Sequence, residues 1–327
     1  MARTLVTGGS GFIGRHLVAG LLARGDEVRV LDVTEPDGDA AGFEFVRGSI
    51  VDRAAVDQAL AGVDRVYHLA GIAHLWAADR GDFDRVNRRG TETVLSAAGA
   101  SGVGRIVHCS TESILLPRQR NGSAAIDESA PPSLADMPGP YTRSKHLAER
   151  AALAAAAGGR DVVVVNPTVP IGDGDRNMTP PGAMLALFLS GGTPFFLDCV
   201  LNLVDVRDLA AGILLAGERG RSGERYILGG ENVALRDLLP VLERLSGRRM
   251  PTRSVPPFLA TAAAIVTAWT ADRITHRPPA ATPEGVVLAL RSAPFESRKA
   301  ARELGYAPGP VERALTDVVE AFNRREA

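Results

Sequence analysis

The chain of 327 residues carries 37 lysines and arginines against 38 aspartates and glutamates, a net charge of −1, and 45% of it is hydrophobic. That balance excludes nucleic-acid binding through a cationic surplus, and the apolar content excludes a disordered chain. The length suits one large or two unequal domains, while Cys109 and Cys199, at no metal-ligand spacing, suit a reducing compartment and leave one disulfide open.

The first residues, Met1-Ala2-Arg3-Thr4-Leu5-Val6, run straight into a strand pattern, so no signal peptide and a cytoplasmic location are expected. Apolar runs of strand length follow at 4–7, 27–31, 65–69, 105–110 and 161–166, rich in Val, Ile and Leu on both faces. Between them, 11–24, 53–61, 82–100 and 141–157 read as helices. Strands alternating with helices predict a doubly wound parallel sheet in an α/β fold. After Asn166, loop punctuation takes over, with helices expected at 235–245 and 310–322 and a Pro-rich join at 250–257. The uncharged run 258–271 is shorter than the ~20 residues of a spanning helix, so it predicts a buried or surface-lying one. Residues 1–165 therefore read as a nucleotide-binding core and 166–327 as mostly a smaller α/β substrate-binding region. The strand-like 225–228 leaves re-entry into the core sheet open.

The first strand ends in Thr7-Gly8-Gly9-Ser10-Gly11-Phe12-Ile13-Gly14, and a helix follows at once. Glycines there permit a tight turn, a close approach of backbone to a pyrophosphate, and packing of helix on strand. The helix N-terminus offers unpaired N–H groups to phosphate. The second strand delivers Asp32, a carboxylate suited to the ribose hydroxyls and repulsive to a 2′-phosphate, which favours NAD over NADP. Glu35 and Asp37 read as solvated turn carboxylates.

In Tyr141-Thr142-Arg143-Ser144-Lys145 the phenol and the ammonium lie on one helical face. An ammonium there is expected to lower the phenol pKa toward the range of a general base. The fourth strand ends in Cys109-Ser110-Thr111-Glu112-Ser113, where either hydroxyl could donate to a substrate oxygen.

These residues resemble the extended short-chain dehydrogenase/reductase superfamily, the NAD-dependent epimerase/dehydratase group. The resemblance rests on the glycine turn, His68-Leu69-Ala70-Gly71, Val86-Asn87-Arg88-Arg89-Gly90-Thr91, Ser110-Thr111 and Tyr141-x-x-x-Lys145, and covers nearly the whole chain. It implies a Rossmann core with bound NAD, Tyr141 as acid/base, Lys145 on the nicotinamide ribose and Thr111 polarising the substrate oxygen. The implied cofactor contacts are Gly8, Gly11, Phe12, Ile13, Gly14, Asp32, Ser49, Ile50, Leu69, Ala70, Gly71, Asn87, Tyr141, Lys145 and Pro167. Where the family commonly has Gly-Asp-Ile near the adenine, this chain has Gly48-Ser49-Ile50.

The stretches 165–172, 201–208, 223–232 and 295–308 are most similar to hopanoid-associated sugar epimerases and dihydroflavonol-reductase-like members. An oxidoreductase or epimerase acting on a secondary alcohol or ketone of a sugar or polyol is the first expectation. A 3-hydroxysteroid, terpenoid or flavonol dehydrogenase is the alternative, favoured by Val169, which stands where UDP-galactose 4-epimerases have an asparagine for the diphosphate. The apolar Phe195-Phe196-Leu197 and 258–271 stretches add to that lipid-like or aromatic alternative, although core packing is the first account expected of them. Arg176, Arg207 and Arg291 could hold a diphosphate if they converge, although Arg207 could pair with Asp205 or Asp208. A non-catalytic NAD-binding regulatory protein is the alternative of another class. His68 is expected to pack beneath the cofactor, and His74 and Trp76 to lie at the crevice mouth. Arg118, Arg120 and Asp127 fall in a substrate-covering segment. A homodimer is expected through the helices at 82–100 and 141–157, with neither metal, nucleic acid nor spanning segment.

Overall fold

The computed structural model describes residues 2–36, 42–119, 124–129 and 133–326; Asp37 and Arg120 lie outside them. The first half runs β1 (Arg3–Thr7), α1 (Phe12–Ala23), β2 (Glu27–Asp32), β3 (Phe43–Arg47), α2 (Arg53–Leu60), β4 (Arg65–His68), α3 (Thr91–Ala100), β5 (Arg105–Cys109), α4 (Pro140–Ala157) and β6 (Val162–Pro167). Then come β7 (Val169–Ile171), α5 (Pro180–Leu189), β8 (Phe195–Phe196), β9 (Val200–Asp205), α6 (Val206–Arg219), β10 (Arg225–Leu228) and β11 (Glu231–Ala234). The chain closes with α7 (Leu235–Ser246), β12 (Arg253–Ser254), α8 (Pro257–Thr270), α9 (Pro283–Arg291), α10 (Arg298–Leu304) and α11 (Glu312–Glu326).

Seven strands form one parallel sheet in the order β3-β2-β1-β4-β5-β6-β10, a Rossmann arrangement. Successive side chains point to opposite faces, so apolar runs become two cores. Val6, Val163 and Val165 pack with Leu17 and Leu21 of α1 and Leu209 and Ile213 of α6. Leu5, Val162 and Val164 pack with Val56 of α2, Val94 of α3 and Ala152 of α4. The strand order reverses between β1 and β4, and ligands of such sheets bind at the strand C-termini beside that point. The chain does return to the sheet through β10, and α6 covers the face it shares with α1. A smaller unit joins β7, β9 and β11 in a three-stranded sheet, with α5, α7 and α11 around Leu185, Leu238 and Leu315.

Three features depart from the sequence reading. Strand β3 was not anticipated, because as an edge strand it is only half buried and lacks a long apolar run. The expected helix at 82–100 forms in two modes: a wide π-helical stretch, Phe83–Gly90, runs straight into α3. Core packing accounts for only part of the apolar stretches: Phe196 and the alanines Ala260, Ala264 and Ala268 are buried, whereas Phe195 is 47% and Phe258 70% exposed, and the large apolar side of α8 lies at the surface. Among the described residues no helix is long and apolar enough to cross a membrane.

Candidate active site

The C-terminal end of β1 forms the cradle. Gly8 adopts φ +73°, and a Cβ there would stand 2.7 Å from the Ala70 nitrogen, so only glycine lets the turn lie against the exit of β4. A side chain at Gly14 would collide with the Gly8 carbonyl, which seats α1 directly on the turn. Asp32 anchors this loop: one carboxylate oxygen accepts the Ser10 N–H at 3.0 Å and the other the Thr34 N–H at 3.1 Å. The Ser10 hydroxyl is buried without a partner in the protein, a polar group at the turn still to be satisfied. Arg29 points away from the cradle, to Glu44 and the Ala59 and Ala61 carbonyls.

Other carried-over contacts surround the same strand ends. Phe12 and Ile50 are buried in the core, and Ile13 packs against it. Ser49 accepts the Val51 N–H at 3.4 Å, and Pro167 ends β6. Leu69 and Ala70 donate backbone N–H groups to the Thr7 carbonyl and hydroxyl. Asn87 clips the next turn in place: it accepts the Ile72 N–H at 2.7 Å and donates to the Ile72 carbonyl and the Ser144 hydroxyl. Its π-helical segment is the kind of local irregularity that often marks a functional site. His68 sits between the Thr7 and Thr91 hydroxyls at 2.7 and 2.9 Å. Burial, and secondarily the Lys145 charge, depress its pKa to about 3, so it packs as a neutral ring and moves no proton near neutrality.

Thr111, Tyr141 and Lys145 come together at the ends of β5 and α4. The Lys145 ammonium donates to the Cys109 carbonyl at 2.7 Å, and burial lowers its pKa. Tyr141 is 8% exposed, with its ring edge-on to Phe83. Within the protein the phenol pKa is raised, not lowered: burial dominates, the Thr111 hydroxyl hydrogen bond opposes it, and Glu112 and Glu284 add to the rise. The expected depression by the ammonium is therefore not what decides this phenol: burial outweighs every group acting on it. The Thr111 hydroxyl donates to Glu112 at 3.0 Å and accepts the Ser113 N–H at 3.2 Å, whereas the Ser110 hydroxyl is buried without a protein partner.

Comparison with known proteins decides the family. The sequence model of the NAD dependent epimerase/dehydratase family matches residues 4–229. This chain belongs to that family. A Synechocystis protein provisionally named dihydroflavonol 4-reductase is 35% identical over 327 residues, 97% of this chain and 93% of the relative. Sterol demethylase protein B of Methylococcus capsulatus is 32% identical, covering 98% of each chain. Among solved structures, the Thermus thermophilus UDP-glucose 4-epimerase complex with NAD superposes with a TM-score of 0.77 at 25% identity, over 98% of this chain and 99% of that one.

The chain is thus an NAD-dependent enzyme of the epimerase/dehydratase family. The glycine cradle with its unsatisfied Ser10 hydroxyl, and the paired oxygens of Asp32, fit a dinucleotide. On the substrate side, the three candidate arginines are drawn to different places. Arg207 is held by Asp205 and Asp317, and Arg291 by the Asp136 carbonyl. Arg176 lines a cleft of about 690 Å³ with Arg15, His16 and Phe322, which none of the three reacting groups borders. Trp76 donates to Asp272 at 2.8 Å, joining the loop after β4 to the end of α8. Asp127 folds its own turn through Ser129. The charge of Arg118 helps lower the pKa of Asp136.

Sequence reasoning missed three buried groups that hold the site. Glu149 lies one further turn along the Tyr141–Lys145 face, a signal that i, i+4, i+8 spacing carried. It pairs with Arg225 at 2.9 Å and accepts from Asn166, whose amide also donates to the Thr111 carbonyl at 3.1 Å. Glu284, from α9, caps α4 by accepting the N–H groups of Tyr141 and Thr142 at 3.2 and 2.8 Å and the Thr142 hydroxyl at 2.7 Å. A carboxylate on a helix N-terminus is favoured by the helix dipole and by its charge-assisted bonds. Glu284→Ala is expected to cost about 2 kcal/mol in urea unfolding and to lower kcat more than it raises KM, because it frees the backbone beneath Tyr141. Unchanged unfolding would contradict that placement.

Glu112 is the third. Burial dominates its pKa and lifts it to about 7, against its hydrogen bonds with Thr111 and Ser113. A carboxyl raised on folding binds its proton more tightly in the native state, so it withdraws stability as pH climbs from about 4.5 to 7. Glu112→Gln is expected to exceed the natural chain in stability by about 3 kcal/mol at pH 8 and to match it near pH 4. An equal difference at both pH values would contradict this.

Proposed function

We propose that the protein is a dehydrogenase or reductase for a secondary alcohol or ketone on an apolar, polycyclic skeleton. The carrying observation is that Arg207 is committed to the Asp205 and Asp317 carboxylates and Arg291 to the Asp136 backbone carbonyl, each engaged by a different element rather than by one shared site. A nucleotide diphosphate needs converging cations, whereas a polycyclic alcohol needs one polar end. The sterol and dihydroflavonol names of the two relatives support the same choice.

In this reading the substrate oxygen lies between the Thr111 hydroxyl and the Tyr141 phenol, and Tyr141 holds or takes the carbinol proton. Lys145 presents a positive charge beside them and, by its hydrogen-bonding reach, the ribose contact. Gly8, Gly11, Gly14 and Asp32 would hold the pyrophosphate and adenosine ribose of NAD, with Ser49, Ile50, Leu69, Ala70, Gly71, Asn87 and Pro167 around it. When bound, NAD supplies the acceptor or donor of hydride. The C-terminal residues 166–327 would contribute most of the substrate wall, and residues 1–165 the cofactor seat.

The sugar reading keeps one support, the likeness to a UDP-glucose 4-epimerase. A thermal-shift panel with NAD present separates the two. Polycyclic alcohols at roughly 100 times their dissociation constant are expected to stabilise by about 2.7 kcal/mol; a shift with UDP- or dTDP-sugars alone would defeat the apolar reading and make the protein an isomerase or dehydratase candidate. We also propose a cytoplasmic homodimer. The support is two free cysteines and a surface of α4 on which Leu153 stays partly open beside small alanines. A monomeric mass at micromolar concentration would end the dimer.

A further inference from the structure

Helix α8 is built inside out. Its small residues Ala260, Ala264 and Ala268 are buried, the first two packing with Val286 of α9. Its large apolar side chains face outward instead. Phe258, Leu259, Ile265, Val266 and Trp269, with Ile274 just beyond, are exposed from 48% at Leu259 to 70% at Phe258. Isolated exposed apolar residues need no explanation, but a contiguous set on one helix marks a surface that something covers. No charged residue occurs between Ser254 and Ala271. Arginines flank the run instead: Arg249 and Arg253 before it, Arg273 and Arg277 after it, all exposed. The one acid in the sequence between Arg244 and Pro283, Asp272, is engaged by Trp76 and Arg80.

An uncharged apolar face with tryptophan on it and cations at both ends has the chemistry of a helix lying in the plane of a bilayer interface. Charge decides against a second copy of this chain as the occupant. A two-fold contact would bring two sets of the four arginines to one seam, where like charges repel. Anionic headgroups neutralise the same arginines, each worth about 1 kcal/mol near such a surface.

We infer that α8 docks the protein reversibly on an anionic lipid surface, its apolar side chains entering the boundary of headgroups and acyl chains while Arg249, Arg253, Arg273 and Arg277 meet lipid phosphates. The contacts of Trp76 and Arg80 with Asp272 join this face to the loop after β4, so docking brings the crevice mouth toward the lipid. The inference stands apart from the substrate proposed above, because its test needs neither substrate nor turnover.

The test is flotation of the full chain with vesicles of phosphatidylglycerol and phosphatidylcholine, beside vesicles of phosphatidylcholine alone. The natural chain is expected to float with the anionic vesicles, to be released by high salt, and to show a blue shift of emission that Trp269→Phe abolishes. Ile265→Asp/Val266→Asp is expected to weaken vesicle binding about a hundredfold, with unchanged melting and unchanged mass in solution. Both positions are exposed, so the fold does not depend on them. Retention of the natural chain in the soluble fraction would overturn the inference, as would equal flotation of the double variant. Conversion of a dimer to a monomer by the double variant, without vesicle binding by either, would assign the face to a second copy and overturn it too.

Discussion

Replacing Tyr141 by phenylalanine is expected to lower kcat by about a thousandfold and to leave NAD affinity within about twofold. The size follows from the usual worth of a positioned general acid or base. The ring keeps its edge-on contact with Phe83 and its burial, so only the hydroxyl is lost. That hydroxyl shares a hydrogen bond with Thr111, the group assigned to the substrate oxygen. Since burial raises the phenol pKa in the protein alone, proton transfer near neutrality needs a positive charge beside the phenol once the site is filled. Lys145 lies a single helical turn away, and Lys145→Met is expected to shift the pH profile of kcat upward as well as lowering it. Steady-state kinetics with fluorescence titration of NADH measures both quantities. Near-natural turnover in Tyr141→Phe would remove the phenol from the chemistry.

The second large effect concerns cofactor choice. NAD is expected to bind about a hundredfold more tightly than NADP, a difference of about 2.7 kcal/mol. Asp32 places a carboxylate at the end of β2, and the one nearby cation on that strand, Arg29, is committed to Glu44 and to backbone carbonyls. Asp32→Asn keeps an oxygen for the Ser10 N–H but removes the charge. Its expected result is NAD binding weakened about tenfold and a preference reduced to within about threefold. Titrations at one ionic strength check this, because salt screens the repulsion. Equal affinities in the natural chain would contradict the role of Asp32.

The sheet was legible because its strands are buried on both faces and read as continuous apolar runs, and the glycine turn because backbone geometry demands glycine at Gly8 and Gly14. Tyr141, Lys145 and Thr111 were legible as a helix face and a strand end in the right order. What stayed hidden depends on distance along the chain. Glu284 caps the helix of Tyr141 from 143 residues away, and no local pattern announces it. Arg225, Glu149 and Asn166 meet only once β10 and β6 pair. The exposure of α8 was hidden for the opposite reason: an apolar run looks the same in sequence whether it faces a core or solvent. The phenol pKa went against expectation because burial of the ring outweighs its hydrogen bond with Thr111, and burial is invisible in a local sequence pattern.

The central claim is that Thr111, Tyr141 and Lys145 form a hydride-transfer site for NAD and a secondary alcohol. The most direct test takes the polycyclic alcohol that stabilises the protein most, labels its carbinol carbon with deuterium, and incubates it with NAD and the protein. The account predicts reduced cofactor carrying one deuterium per turnover by mass spectrometry, and none above background with Tyr141→Phe. Reduced cofactor without the label, or label transfer at full rate in Tyr141→Phe, would contradict it.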